Sequence, residues 1–76
     1  MKYKHFGEWL KAKLKEHKIF QQELAKQICV AENTVTSWTT GNREPTIRNY
    51  LWICRFIALL EEKDYEVIVL ETAEYF

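Results

Sequence analysis

The sequence predicts an all-α fold of five helices in one small domain, residues 1–76. Two observations carry that expectation. Apolar residues recur at three- and four-residue spacing along most of the 76 residues, the period of helices that bury one face. The one segment with strand propensity, near the C-terminus, has no second strand within the chain to pair with. At 47% hydrophobic and 14% aromatic residues, the composition supports a packed core rather than disorder. A chain of this length buries only about 60% of the surface that unfolding exposes, so every apolar stripe must be used.

Phe6, Leu10 and Leu14 stand at i, i+4 and i+8 with Trp9 alongside, opposite Lys11, Lys13, Lys15 and Glu16, and a first helix is expected over about residues 5–17. Glu23 follows Phe20 by three residues, the spacing of a capping box, but Phe20 has no side-chain oxygen to complete it. Leu24, Ala25 and Ile28 give the second helix a short apolar face. Cys29-Val30-Ala31 is then a turn, and Glu32 to about Trp38 a third helix that buries Val35 and Trp38 while Glu32, Asn33, Thr36 and Ser37 point away. Gly41 can take φ > 0 and end that helix, leaving Asn42-Arg43-Glu44-Pro45 as a loop.

Thr46 is a suitable N-cap for the fourth helix. Ile47, Tyr50, Leu51, Cys54 and Ile57 form one stripe there, with Trp52, Phe56, Leu59 and Leu60 on a second flank. So wide an apolar belt needs cover from a fifth helix or a second subunit. In the tail, Tyr65, Ile68, Val69, Thr72, Tyr75 and Phe76 follow helical spacing behind Asp64 as N-cap. A helix is expected there, with a strand pairing across a dimer as the alternative.

No apolar run approaches the roughly 20 residues of a membrane span, and the charged N-terminus leads into an amphipathic segment rather than a signal-peptide core; a cytoplasmic location is expected. Cys29 and Cys54 read as small buried hydrophobes. His5 and His17 lack metal-ligand spacing and read as surface residues. Without a phosphate-cradling glycine loop or a Ser/His/Asp or Cys/His set, neither catalysis, a cofactor nor a small-molecule ligand is expected. The net charge is zero, yet it is unevenly spread. Residues 1–55 carry ten basic side chains against five acidic ones, whereas residues 56–76 carry Lys63 against six acids, suggesting two surfaces with different jobs or simply solubility.

Two short helices joined by a tight turn, over Gln21 to Pro45, make a helix-turn-helix unit. Over about residues 6–60 the chain resembles the Cro/C1-type helix-turn-helix family of bacterial and phage regulators. Phe6-Gly7-Glu8-x-Leu10 is similar to the family's first-helix opening, Gln21-x-Glu23-Leu24-Ala25 to its second helix, Asn33-Thr34-Val35-Thr36-x-Trp38 to its recognition helix, and Gly41-x-Arg43-x-Pro45 to its exit loop. Asp64 to Phe76 resembles the last helix of short phage-type members. The departures are specific. Lys18 and Cys29 stand where the family usually has glycine, so the backbone there must avoid or tolerate φ > 0. Phe20 and Ala31 replace serine caps, each change removing about 1 kcal/mol of capping. Leu14 and Thr39 replace both members of a frequent Arg–Glu ion pair, and losing both partners together strands no buried charge.

The resemblance implies binding of duplex DNA at a palindromic or pseudo-palindromic operator by a homodimer acting as a transcriptional regulator, a repressor above all. It places Glu32, Asn33, Thr36 and Ser37 against base edges. Asn33 suits adenine and Glu32 cytosine, although Glu32 equally suits the positive end of its own helix. Gln21, Thr40, Asn42, Arg43 and Arg48 are the expected phosphate contacts, with a bridge to a base as the alternative for Gln21 and Glu44 as the other partner open to Arg48. Trp38 shares a face with Val35 and is expected in the core rather than stacked on a base. Trp52, Phe56, Tyr65, Tyr75 and Phe76 are candidates for the dimer interface, intramolecular packing being the other use for all five. The zero net charge and acidic tail leave a second function open, a protein-binding module of antitoxin or antirepressor type.

Overall fold

The computed structural model describes residues 2–76, which form helices, turns and loops; among the described residues there is no strand. The chain divides into two compact units, the first ending at Glu44 and the second running Pro45–Phe76.

The first unit holds α1 (Phe6–Glu16), α2 (Gln21–Gln27) and α3 (Glu32–Thr39). Its start corrects the reading of His5 as an ordinary surface histidine. His5 is the N-cap of α1, its Nδ1 accepting from the Glu8 amide at 3.3 Å, while the Glu8 carboxylate accepts from the Lys4 amide at 2.9 Å. The Glu8 amide is shared between His5 Nδ1 and the His5 carbonyl at 3.1 Å, and the Glu8 carboxylate ties down the Lys4 amide just before the cap;. Phe6, Trp9, Leu10 and Leu14 are buried, as are Leu24 and Ala25 of α2, its C-cap Ile28, and Val35 and Trp38 of α3. Gly7 lets α1 approach α3 closely, since a Cβ there would lie 1.8 Å from the Trp38 carbonyl oxygen.

Helices α1 and α2 end in the same way. Lys18 (φ 57°) and Cys29 (φ 59°) are left-handed. The amides that follow them, of Ile19 and Val30, reach back to the carbonyls of Leu14 and Ala25 at 2.8 and 3.0 Å, the Schellman termination that usually employs glycine. The backbone therefore tolerates φ > 0 at both positions rather than avoiding it. Cys29 is exposed, which corrects its assignment to the core: a left-handed residue at a turn points its side chain outward here. At the start of α2, the Phe20 amide donates to Glu23 Oε1 at 3.4 Å, the one half of a capping box that a phenylalanine permits.

The second unit holds α4 (Ile47–Glu61), α5 (Tyr65–Thr72) and a 3-10 turn, Ala73–Tyr75. Thr46 Oγ1 accepts from the Asn49 amide at 3.2 Å and caps α4 as expected. The buried stripe of α4 is Tyr50, Ile53, Cys54, Ile57 and Ala58, with Ile47 68% exposed. The expected stripe was thus one turn too long at its start and turned slightly off its centre. The tail is the helix that its spacing predicted. Ile68 and Thr72 are its buried residues, and Asp64 occupies the N-cap position without a side-chain cap bond.

A buried polar cluster joins α4 to α5. The Tyr50 hydroxyl and Thr72 Oγ1 share a hydrogen bond at 2.5 Å, and each also reaches a carbonyl of α5, Tyr50 that of Val69 at 3.3 Å and Thr72 that of Ile68 at 2.9 Å. Cys54 Sγ lies 3.9 Å from Thr72 Oγ1. Burial raises the pKa of Tyr50, and burial likewise raises that of Cys54, although the Thr72 contact opposes both shifts.

Candidate nucleic-acid interface

Helix α3 is amphipathic over two turns. Val35 and Trp38 anchor one side in the core, and Trp38, 4% exposed, occupies the core rather than a stacking position. Glu32, Asn33 and Thr36 form the exposed opposite side, and Ser37 is half-buried at its margin. Glu32 lies in the first turn, where its carboxylate meets the positive end of the helix;. Neither Glu32 nor Asn33 makes a side-chain hydrogen bond to another described residue, so both keep their donors and acceptors for a partner.

The hydroxyl residues are differently placed. Ser37 Oγ donates to the Thr34 carbonyl at 2.6 Å, and Thr40 Oγ1 to the Thr36 carbonyl at 2.9 Å. Thr36 Oγ1 donates to Gln21 Oε1 at 2.9 Å, and Gln21 Nε2 donates to Thr39 Oγ1 at 3.3 Å. Thr39 in turn donates to the Thr36 carbonyl at 3.1 Å. Gln21, the first residue of α2, is therefore a brace between α2 and α3. An amide carries two N–H donors and a two-lone-pair oxygen, so Gln21 retains one N–H and one lone pair for an outside group.

The sequence signalled Gln21 but not Thr39, which is 6% exposed. Its clue was the paired departure of Leu14 and Thr39 from the family pattern: Leu14 is buried apolar bulk, and Thr39 supplies a hydroxyl to the brace.

Beyond α3, Gly41 (φ 83°) turns the chain outward. Its Cα sits over the His5 imidazole, where a Cβ would come within 2.8 Å of Nε2. Asn42 and Arg43 are exposed in the loop that follows, held where the Arg43 amide donates to the Ser37 carbonyl at 3.1 Å. The first unit thus brings Gln21, Glu32, Asn33, Thr36, Thr40, Asn42 and Arg43 onto α3 and its flanking segments.

A helix-turn-helix family model matches residues 10–57, more than half of the chain. The chain belongs to the Cro/C1-type helix-turn-helix family. Cro/C1-type proteins are DNA-binding regulators, and the chain is accordingly a DNA-binding helix-turn-helix regulator. No curated protein and no solved structure gives a match. In Cro/C1-type terms, α2 and α3 are the helix pair and α3 the recognition helix. No described helix is long and apolar enough to cross a membrane.

Of the remaining sequence candidates, Arg48 is exposed in the first turn of α4, within the second unit. Trp52 and Tyr65 flank Arg55, whose guanidinium carbon lies 5.5 and 5.3 Å from the two ring centroids. Phe76 packs on Tyr50 at 4.6 Å between centroids and remains half exposed, while Phe56 and Tyr75 are half-buried.

Proposed function

We propose that the chain is a transcriptional repressor that binds a palindromic or pseudo-palindromic duplex operator as a homodimer, in the cytoplasm of a bacterial or phage-infected cell. The observation that carries this reading is the uncommitted side of α3, where the side chains of Glu32 and Asn33 make no hydrogen bond to another described residue on a helix braced by Gln21. Side chains that discriminate bases need free donors and acceptors on a rigid support.

Asn33 bonds bidentately to adenine, Glu32 accepts from cytosine N4, and Thr36 touches a thymine methyl or a base edge. Ser37 acts at the margin. Gln21, with its remaining N–H, and Thr40, Asn42, Arg43 and Arg48 hold phosphates and set the register without reading sequence. Trp52, Phe56, Tyr65, Tyr75 and Phe76 contribute apolar surface to the dimer, which places two reading helices on half-sites one helical turn apart.

Selection of bound sites from random duplex DNA, followed by gel-shift titration at two salt concentrations, tests this reading. A repeated site with two related halves is expected, and affinity for it falls steeply with salt because counterions are released. Transcription from a promoter overlapping that site should drop when the chain is present. Failure to enrich any site, together with tight salt-insensitive binding to a protein, would replace this reading with that of a protein-binding module.

A further inference from the structure

The first unit carries a groove of about 430 Å3 beside Gln21, and of its lining only Gln21 takes part in the DNA-binding reading. Leu14, Ile19 and Phe20 make it apolar, and Lys11, Lys15 and Lys18 supply its charge. Phe20 is 75% exposed, a large ring held open to solvent at the start of α2. The volume lies within the range of about 300–1,000 Å3 typical of ligand-binding clefts. Its lining carries three cations and no acid.

The chain also contains a complementary element. On α5 and the turn after it, Glu66, Leu70 and Glu74 recur at four-residue spacing with Val67 beside them, and all four are exposed. Leu70 is 77% exposed, an aliphatic side chain set between two carboxylates. We propose that this acidic, Leu70-centred face of α5 from a second copy docks into the Lys11/Lys15/Lys18 groove. The docking is reciprocal, so that the pair closes as a two-fold dimer. This rests on the homodimer of the preceding section and names the part of the first unit that takes part in it. Opposite charges steer the approach and fix the register, while burial of Leu70 against Leu14, Ile19 and Phe20 supplies the apolar gain. A DNA backbone would satisfy the lysines equally well, but a phosphate gains nothing from an apolar floor.

The test uses two full-length variants, Lys11→Glu/Lys15→Glu and Glu66→Lys/Glu74→Lys, followed by sedimentation equilibrium alone and mixed one to one. All four positions are exposed, and far-UV circular dichroism checks that each variant is folded; Lys11→Gln/Lys15→Gln is the milder substitute. Wild type should dimerise, each variant alone should dimerise at least tenfold more weakly, and the mixture should recover wild-type affinity because both contacts again pair opposite charges. Dimers unchanged in every variant would overturn the groove and leave the homodimer standing. A monomer throughout would overturn both. Loss of DNA affinity in Lys11→Glu/Lys15→Glu with self-association intact would assign the lysines to phosphates and overturn the proposal.

Discussion

Asn33 and Arg43 are both exposed side chains of the first unit, yet they should fail differently when truncated. If Asn33 reads adenine as proposed, Asn33→Ala should lower discrimination at one operator position by about 1–3 kcal/mol while other positions keep their preference. Arg43→Ala should weaken all sites about equally and reduce the salt slope by about one. Competition gel shifts with single-base operator variants separate the two. Gly7→Ala tests packing instead. With 1.8 Å between the new Cβ and the Trp38 carbonyl, α1 must shift, and urea unfolding should show a loss of about 1–3 kcal/mol. Cys29→Gly should act in the opposite direction, raising stability by roughly 0.5–1 kcal/mol by relieving a left-handed non-glycine residue. These residues also mark what sequence alone could convey. The core place of Trp38 was legible because it shares helical spacing with Val35. The capping by His5 was not, because histidine is an uncommon cap and its fit under Gly41 depends on a contact 36 residues away in sequence.

At the scale of elements, the α2–α3 pair depends on a brace that pattern reasoning could place only in part. Helical period located both helices, and the resemblance marked Gln21 as important, but a side-chain bond between residues 15 apart leaves no periodic trace. Helix α5 was legible through Ile68 and Thr72 against a strand propensity concentrated in Val67, Ile68 and Val69, because tertiary burial selects the spacing that pays no unsatisfied backbone cost. The α4–α5 cluster has a further consequence. Cys54 and Tyr50 both have pKa values raised in the folded chain, above the ordinary 9.0 and 10.0. The unfolded chain therefore loses these protons first as pH rises. Their contribution to stability is complete below about pH 9 and is lost as pH climbs through the folded values. Thermal melts between pH 7 and 11 should show Tm falling in the upper part of that range, and Cys54→Ala should shrink the fall.

For the whole molecule, the zero net charge conceals a basic first part and an acidic tail, a division that the sequence already displayed. DNA affinity must come from a few local contacts on the first part, with the tail opposing long-range attraction, so the salt slope should correspond to fewer phosphates than in strongly basic binders of similar size. A plot of log affinity against log salt measures it directly. What composition could not convey was the division into two compact units at Pro45, since that depends on which helices pack together.

The turn between α2 and α3 offers one last consequence. Its left-handed Cys29 presents an exposed thiol beside the reading helix, whereas Cys54 is buried. The native chain therefore carries a single addressable attachment point and needs no engineering for it: a maleimide dye should couple rapidly to one thiol per chain, with the second reacting only after denaturation. If α3 enters the operator as proposed, the attached fluorophore would report its arrival as a change in emission.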